Sequence, residues 1–226
     1  MFRILVVDDD TDTSDQLKKL ISAEIEGSQV DTAETVVEGQ RLIAEARLAK
    51  RPYQAIVLDL MLPANHPGDN PEVHEALCRD IRDIMPDALL AHITAYKGDK
   101  QVSTHLQEAH DKQPGNRNFR LWKLEGDFAE QLVGKLKPFL YGLSIGEQMK
   151  KIFDLGEPPA YSYGQRGRFP NTDVGRGSLT HEIAALSRDI CAHWRDLDES
   201  TRADVREVFN VIPDGSGGVV VSLFKT

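Results

Sequence analysis

Residues 55–63 read AIVLDLMLP, and this stretch decides the fold of the first part of the chain. Ala55–Leu58 is a short apolar run with β-branched residues, which is the pattern of a strand buried on both faces. The run ends directly at Asp59, ahead of a segment rich in Pro, Gly and Asn. We therefore predict a central strand that carries a carboxylate at its C-terminal end.

The opening of the chain has the same pattern. Phe2–Val7 is an apolar run, and Asp8, Asp9 and Asp10 follow it at once. It predicts a second buried strand with acids at its C-terminal end. Leu17, Ile21 and their neighbours then recur at helical spacing. The candidate N-caps of this helix are Thr11, Asp12 and Thr13.

Three further strands are predicted between segments of helical apolar spacing. These strands are Gln29–Thr32, Ala88–Ile93 and Asn118–Trp122. Thr94 follows the fourth strand, Lys123 follows the fifth, and a polar helix is predicted over about Lys100–His110. Five strands alternating with helices indicate an α/β domain built on a parallel sheet.

The polar residues at the strand ends predict one shared pocket. In an open parallel sheet the C-terminal ends of the strands line a common crevice, so Asp8, Asp9, Asp59, Thr94 and Lys123 are expected to meet there. Crowded carboxylates repel one another and favour a bound cation, and oxygen ligands suit Mg²⁺. One carboxylate can then act as a nucleophile toward phosphorus, while the lysine and the hydroxyl stabilise the transferring group.

Four segments carry a family resemblance. ILVVDDD, AIVLDLMLP, AHITAY and LWKLE resemble, in this order, the signature strand ends of the receiver domains of two-component response regulators. The resemblance covers about residues 1–142. It implies a flavodoxin-like, doubly wound, five-stranded parallel sheet with strand order 2-1-3-4-5, followed here by a smaller, mainly helical C-terminal region.

The resemblance also implies a role for each site residue. The family's paired acids, here Asp8 and Asp9, hold Mg²⁺, and Asp59 is the phosphorylated aspartate and a further metal ligand. The backbone carbonyl two residues later, here that of Met61, completes the protein's share of the metal shell. Thr94 and Lys123 match the switch hydroxyl and the phosphate-binding lysine of the family.

Three features depart from the family pattern. Arg120 stands where the family usually has an aromatic residue three positions before the lysine, and Leu124 stands where it has Pro. Two connections are long, Ala64–Pro71 and the segment around Asp111–Asn118, and we interpret both as insertions beside the active face. None of these departures removes a group that phosphoryl transfer needs, but they bear on how the phosphate is read out.

Composition limits the remaining functions. The chain of 226 residues carries a net charge of -9, and neither its first 144 residues nor the rest has a basic excess, which argues against sequence-independent nucleic-acid binding. No apolar run is long enough to span a bilayer, and MFRILVVDDD resembles neither a signal peptide nor an anchor. Cys78 and Cys191 lack metal-type spacing, so we predict a cytoplasmic protein with two free thiols.

The C-terminal part is divided by composition. We predict a receiver domain over residues 1–142, a linker or wrapping segment over 143–177 that begins with a short helix over Ser144–Leu155, and a small α+β region of unknown function over 178–226. Residues 156–177 are rich in Gly and Pro, and their arginines beside aromatic residues leave single-stranded nucleic acid open as a ligand, although wrapping is favoured. His181 faintly resembles a phosphoacceptor histidine, but a surface histidine is the preferred interpretation.

A helix-turn-helix with a wing is a second interpretation of the C-terminal region. The predicted helices there contain Leu179–Ile190 and Asp198–Val208, and a strand-like tail Val219–Phe224 follows a turn. The second helix begins with acids and lacks the Arg, Lys, Asn or Gln cluster that reads base edges. DNA is therefore a partner that the sequence disfavours.

The preferred hypothesis is a phosphoacceptor response regulator. A sensor histidine kinase or a phosphotransfer protein would phosphorylate Asp59 with Mg²⁺, and the output would be contact with a downstream protein or homodimer formation. The chain would be no enzyme beyond self-phosphorylation and autodephosphorylation. Two rivals stay open, a receiver-like interaction module that does not switch, favoured by Arg120, and a DNA-binding transcriptional regulator. A phosphatase of the dehalogenase-like group is a third rival, but its Asp-x-Asp signature is missing because Met61 stands there.

Overall fold

The computed structural model describes residues 1–62, 71–95, 118–153 and 173–222. The chain divides into two compact units, Met1–Leu136 and Lys137–Thr226. None of the helices within the described residues is long and apolar enough to cross a membrane. The two units are described in turn.

Within its described residues, the first unit alternates strands and helices as far as its fourth strand. Its strands are β1 (Phe2–Val7), β2 (Ser28–Ala33), β3 (Ala55–Asp59), β4 (Leu89–Thr94) and β5 (Asn118–Trp122). Its helices are α1 (Thr11–Glu24), α2 (Val36–Leu48), α3 (Pro71–Ile84) and the first part of α4 (Phe128–Phe153). The first and fifth strands have the predicted bounds, and the other three differ from the prediction by one residue at one or both ends.

The five strands form one parallel sheet in the order β2-β1-β3-β4-β5. This is the flavodoxin-like order, so the predicted fold class is confirmed. In the register, Val7 lies beside Leu58, and Asp59 lies beside Ile93. The C-terminal ends of β1, β3 and β4 therefore reach the same edge of the sheet, which is what the predicted site requires.

The central strands are buried because helices cover both faces of the sheet. Every residue of β3 and β4 is buried. On one face, the core contains Leu5, Val7, Ile56, Leu58 and Leu90 together with apolar residues of α2 and α3. The alternate strand residues, such as Ile4 and Val6, are also fully buried. Strands buried on both faces explain the continuous apolar runs of the sequence.

The N-terminus of α1 differs from the prediction. Its N-cap is Asp10, whose extended backbone precedes the helix and whose carboxylate accepts hydrogen bonds from the N–H groups of Asp12 and Thr13. The predicted caps were wrong, because Thr11, Asp12 and Thr13 already lie in the first turn of the helix. A capping side chain must precede the first helical residue in order to reach the free N–H groups of that turn.

Several predicted features lie outside the described residues. These are the polar helix Lys100–His110, most of the long connections Ala64–Pro71 and Asp111–Asn118, and the Gly- and Pro-rich residues 156–172. Pro71 itself is the first residue of α3, a position at which proline's missing N–H costs no helical hydrogen bond.

The second unit begins within α4. It contains α5 (Asp173–His193), a 3₁₀ turn (Trp194–Asp196), α6 (Glu199–Val208) and a hairpin of β6 (Asn210–Pro213) and β7 (Val219–Ser222). Its core includes Leu140, Ile145, Leu186, Ile190 and Phe209. Between α4 and α5, Lys151 pairs with Glu182 at 2.8 Å, and the Gln148 amide donates to Asp189 at 2.9 Å. His181 is exposed on α5, as predicted for a surface histidine.

The predicted limits at residues 142 and 177 stay predictions, and a helix runs across each of them. The helix predicted over Ser144–Leu155 is present in its described part, as a continuation of α4 and not as a separate helix. Residues 143–153 continue α4, and α5 already begins at Asp173. The helix continues because Ile145, Met149 and Ile152 are buried at helical spacing, which extends the stripe of Leu132, Leu136 and Leu140. Residues 154–172 lie outside the described part of the chain.

Two glycines of α4 give a matched test of packing in the second unit. A Cβ on Gly142 would lie 2.7 Å from Thr201 Oγ1, whereas a Cβ on Gly146 would meet no atom within 4 Å. We expect Gly146→Ala to stabilise the protein by about 0.5–1 kcal/mol through helix propensity. Gly142→Ala gains the same propensity but crowds Thr201, so we expect a net loss of about 1 kcal/mol.

Urea unfolding at a fixed pH measures both variants. Equal stabilisation by the two substitutions would contradict the close approach of Thr201 to Gly142.

Candidate metal and phosphoacceptor site

Three carboxylates meet at the C-terminal edge of the sheet. Asp8 follows β1 and has no exposed surface, Asp59 ends β3 and is 5% exposed, and Asp9 is exposed. One carboxylate oxygen from each of the three lies within 4.8 Å of the others. The structure thus brings together the three acids that the sequence predicted as metal ligands.

Lys123 joins the two buried carboxylates. Its Nζ donates to Asp59 Oδ2 at 2.6 Å and to Asp8 Oδ1 at 2.8 Å. The lysine is placed by the sheet, because its backbone N–H donates to the carbonyl of Thr94 at 2.9 Å, just beyond the paired ends of β4 and β5. A cation that follows β5 is therefore held against the predicted phosphoacceptor of β3 through its backbone bond to β4, the strand between them.

The two oxygens of Asp8 differ in their partners. Oδ1 accepts from Lys123 and from the backbone N–H of Asp10, which lies at 3.0 Å. Oδ2 is buried, and its described polar contact is the ion pair with Lys123 Nζ at 2.7 Å. Oδ2 thus has fewer partners than Oδ1, and an oxygen of this kind suits a hard divalent cation.

The pKa values reflect this crowding. Burial raises the pKa of Asp8 from 3.8 to about 6, and the charge of Asp59 adds to the rise, against the hydrogen bonds from Lys123 and Asp10. Burial alone would lower the pKa of Lys123, but its hydrogen bonds to Asp59 and Asp8 outweigh burial and raise that pKa. When all three acids are ionised, the single lysine leaves two negative charges uncompensated. The donor set therefore fits a hard divalent cation.

Met61 and Thr94 lie beside this cluster. The Met61 N–H donates to Asp59 Oδ1 at 3.0 Å, which fixes one oxygen of the predicted phosphoacceptor. Thr94 is the last residue of β4 and is fully buried. The predicted roles of the Met61 carbonyl and of the Thr94 hydroxyl stay predictions, as do the roles of the other site residues.

The departures from the family pattern can be placed in the structure. Arg120 pairs in register with His92, a buried residue of β4. Phe119, one position earlier, lies against the Lys135 ammonium, with 5.3 Å between Nζ and the ring centre. Leu124 is 78% exposed directly after Lys123. The structure also adds one residue that the sequence prediction missed, Asp10, whose backbone contacts Asp8 and whose side chain caps α1.

Comparison with solved structures gives a consistent class of neighbours, although no protein-family model and no curated protein matches the chain. The BeF3-activated DrrB receiver domain is 25% identical, covers 62% of this chain and 97% of its own, and has a TM-score of 0.42. A CheY-like response regulator receiver domain protein from Methanospirillum hungatei is 24% identical. The match covers 61% of this chain and 91% of that protein, with a TM-score of 0.44.

A third neighbour is a response regulator protein from Burkholderia pseudomallei with a phosphorylated aspartic acid, calcium ion and citrate. It is 21% identical, covers 66% of this chain and 75% of its own, and has a TM-score of 0.43. Many such neighbours are receiver domains that cover the N-terminal part alone, and the C-terminal part is unassigned. Over its N-terminal part the chain therefore resembles the receiver domains of response regulators, and its own sheet has the strand order expected for them.

Proposed function

We propose that this chain is a cytoplasmic response regulator of two-component signal transduction, which accepts a phosphoryl group on Asp59 with Mg²⁺ bound. The observation that carries the proposal is the contact of Lys123 Nζ with Asp59 Oδ2 at 2.6 Å, beside the oxygens of Asp8 and Asp9. A nucleophilic carboxylate, a fixed cation and a set of metal ligands are the parts that phosphoryl transfer needs.

Each residue has a defined part in the proposed reaction. An oxygen of Asp59 attacks phosphorus, the bond from phosphorus to the donor atom breaks, and the leaving group departs with that electron pair. Lys123 remains close enough to neutralise charge on the transferring group, and the Thr94 hydroxyl would bond one of its oxygens. Asp8, Asp9 and the Met61 carbonyl would hold Mg²⁺ with Asp59. The ion supplies positive charge toward the phosphoryl oxygens.

The phosphoryl donor in this proposal is a sensor histidine kinase or a phosphotransfer protein. The chain acts as a phosphoacceptor rather than as an enzyme that turns over a substrate, apart from uptake from small phosphodonors and autodephosphorylation. The phosphorylated aspartate adds a dianion next to Lys123, and this change of charge would bias a surface used for partner binding or for homodimer formation.

The output is proposed to be contact with a downstream protein. In α6, the arginines that a DNA-binding helix would need are engaged within the second unit. Arg206 pairs with Glu199 at 2.6 Å, and the guanidinium groups of Arg202 and Arg206 lie 5.7 and 5.2 Å from the Trp194 ring centre. These contacts do not favour reading of base edges by α6, so DNA binding is not proposed.

Uptake of phosphate from a small donor tests the proposal. The full chain is incubated with acetyl phosphate, either with Mg²⁺ or with EDTA, and its intact mass is measured. We expect the mass of one added phosphoryl group with Mg²⁺ and none with EDTA, because the buried acids need the cation before the donor can approach. Absence of any adduct with Mg²⁺ would contradict phosphoacceptor function and favour the non-switching interaction module.

A further inference from the structure

Asp10 connects the metal ligands to the helix that follows them. Its carboxylate oxygen Oδ1 accepts from the N–H groups of Asp12 at 3.0 Å and Thr13 at 3.3 Å, and Oδ2 accepts from the Thr13 hydroxyl at 2.8 Å. The backbone N–H of the same residue donates to Asp8 Oδ1 at 3.0 Å. One residue thus fixes the start of α1 and orients the Asp8 carboxylate.

The orientation of Asp8 decides which oxygen can face a metal. Lys123 Nζ lies within 2.8 Å of both Asp8 oxygens, so the Asp10 N–H, which donates to Oδ1, is the contact that distinguishes them. If the Asp10 N–H turned away, the Asp8 carboxylate could rotate about its Cβ–Cγ bond, and the direction in which its oxygens face a metal would no longer be fixed. Metal affinity depends on ligands that are already held in place, and loss of the groups that orient them lowers it.

The same residue limits the position of Asp9. On one side of Asp9, the Asp8 N–H donates to the Ala33 carbonyl at 3.0 Å, which ties the chain to β2. On the other side, the cap of Asp10 ties the chain to α1. Asp9 is exposed, so its carboxylate depends on these two anchors for its position.

We propose that Asp10 is a positioning residue for the metal site, acting through its N-cap and its N–H bond to Asp8 and not as a ligand. This inference rests on the proposed function, since it assumes that Asp8, Asp9 and Asp59 bind Mg²⁺. It goes beyond that function by assigning to Asp10, the acid that follows the two proposed metal ligands Asp8 and Asp9, a role in positioning them.

A set of variants separates the cap from the charge. Asp10→Ala removes both, whereas Asp10→Asn removes the charge but keeps a good N-cap. Glycine is tolerated at an N-cap although it has no side chain, so Asp10→Gly can replace Asp10→Ala in the measurement if the alanine variant does not fold. The matched control is Thr35→Ala, because Thr35 caps the neighbouring helix α2 through the Glu38 N–H and contacts none of the three acids through a described hydrogen bond.

The measurement is the Kd for Mg²⁺ of the full chain, by isothermal titration calorimetry in 0.3 M KCl, with urea unfolding of the metal-free protein alongside. We expect Kd to rise on the order of tenfold in Asp10→Ala and Asp10→Gly. The Kd should stay within about twofold of the parent in Asp10→Asn and Thr35→Ala, because both variants keep a capping side chain at position 10. Thr35→Ala should still lower the urea midpoint, which shows that lost stability alone does not weaken Mg²⁺ binding.

Three results would overturn the inference. An unchanged Kd in Asp10→Ala or Asp10→Gly, with normal binding by the parent, would refute the positioning role and leave the proposed function intact. A rise in Asp10→Asn as large as in Asp10→Ala would assign the effect to charge or to direct ligation. No Mg²⁺ binding by the parent would remove the proposed metal site and this inference together.

Discussion

Asp59→Asn is expected to take up no phosphoryl group from acetyl phosphate under conditions in which the parent gains one. An amide oxygen is a far weaker nucleophile than a carboxylate, and the substitution leaves the size of the side chain almost unchanged. The pocket should therefore remain folded, with Lys123 still near the amide oxygen. Intact-mass spectrometry in the presence of Mg²⁺ measures the uptake.

The control for this variant is Asp204→Asn, which removes an exposed acid of α6 far along the chain from the site. It should take up phosphate as the parent does. Because acetyl phosphate also modifies lysines by acetylation, the comparison uses the mass of a phosphoryl group alone. An adduct that survives in Asp59→Asn would place the phosphoacceptor elsewhere.

The second large effect is a dependence of stability on pH that Mg²⁺ reverses. The pKa of Asp8 rises from 3.8 to about 6 on folding, so the folded state binds more protons than the unfolded state between these two pH values. Stability without metal must then fall as pH rises from about 4 to about 6, and the loss stays at higher pH. A shift of about two units corresponds to about 2–3 kcal/mol.

Urea unfolding of the metal-free protein at pH 5.0 and 7.5 measures the second half of this loss, about 1–1.5 kcal/mol, because the Asp8 carboxyl of the unfolded chain is already ionised at pH 5.0. Saturating Mg²⁺ at pH 7.5 should restore the stability, because the ion binds the folded state alone. The lowered pKa values of Asp10 and Asp31 add to the stability of the folded state, and this addition is lost only as the pH falls below ~4. It therefore changes little between pH 5.0 and 7.5. In Asp8→Asn, the loss of stability between pH 5.0 and 7.5 should largely disappear, and so should the stabilisation by Mg²⁺. Equal metal-free stability of the parent at both pH values would contradict a buried, crowded Asp8.

The sheet and the pocket were predictable because each depends on a local pattern. Phe2–Val7 and Asn118–Trp122 are bounded by residues that end a strand, and parallel strands bring their C-terminal residues to one edge. Asp8, Asp9, Asp59 and Lys123 could thus be assigned to one pocket without coordinates. The family resemblance then supplied the roles, which periodicity alone does not give.

Two features were not predictable from local pattern. Asp10 directly follows the two acids assigned to the metal site, and only the backbone at the start of α1 identifies it as the N-cap. The continuity of α4 into the helix predicted after Ser144 was missed, because Pro138, Gly142 and Gly146 lower its helix propensity. Burial of Ile145, Met149 and Ile152 in the second unit outweighs that propensity, and such packing cannot be deduced from a short window of sequence.

The central claim is that the phosphoryl group is carried by Asp59, and locating it chemically is the most direct measurement. After incubation with acetyl phosphate and Mg²⁺, borohydride converts an aspartyl phosphate to homoserine, and peptide mapping by mass spectrometry shows which residue has changed. We predict homoserine at position 59 and an unchanged aspartate at positions 8, 9 and 10. Homoserine at any of those three positions, or phosphate on a histidine such as His181 with Asp59 unmodified, would contradict the account.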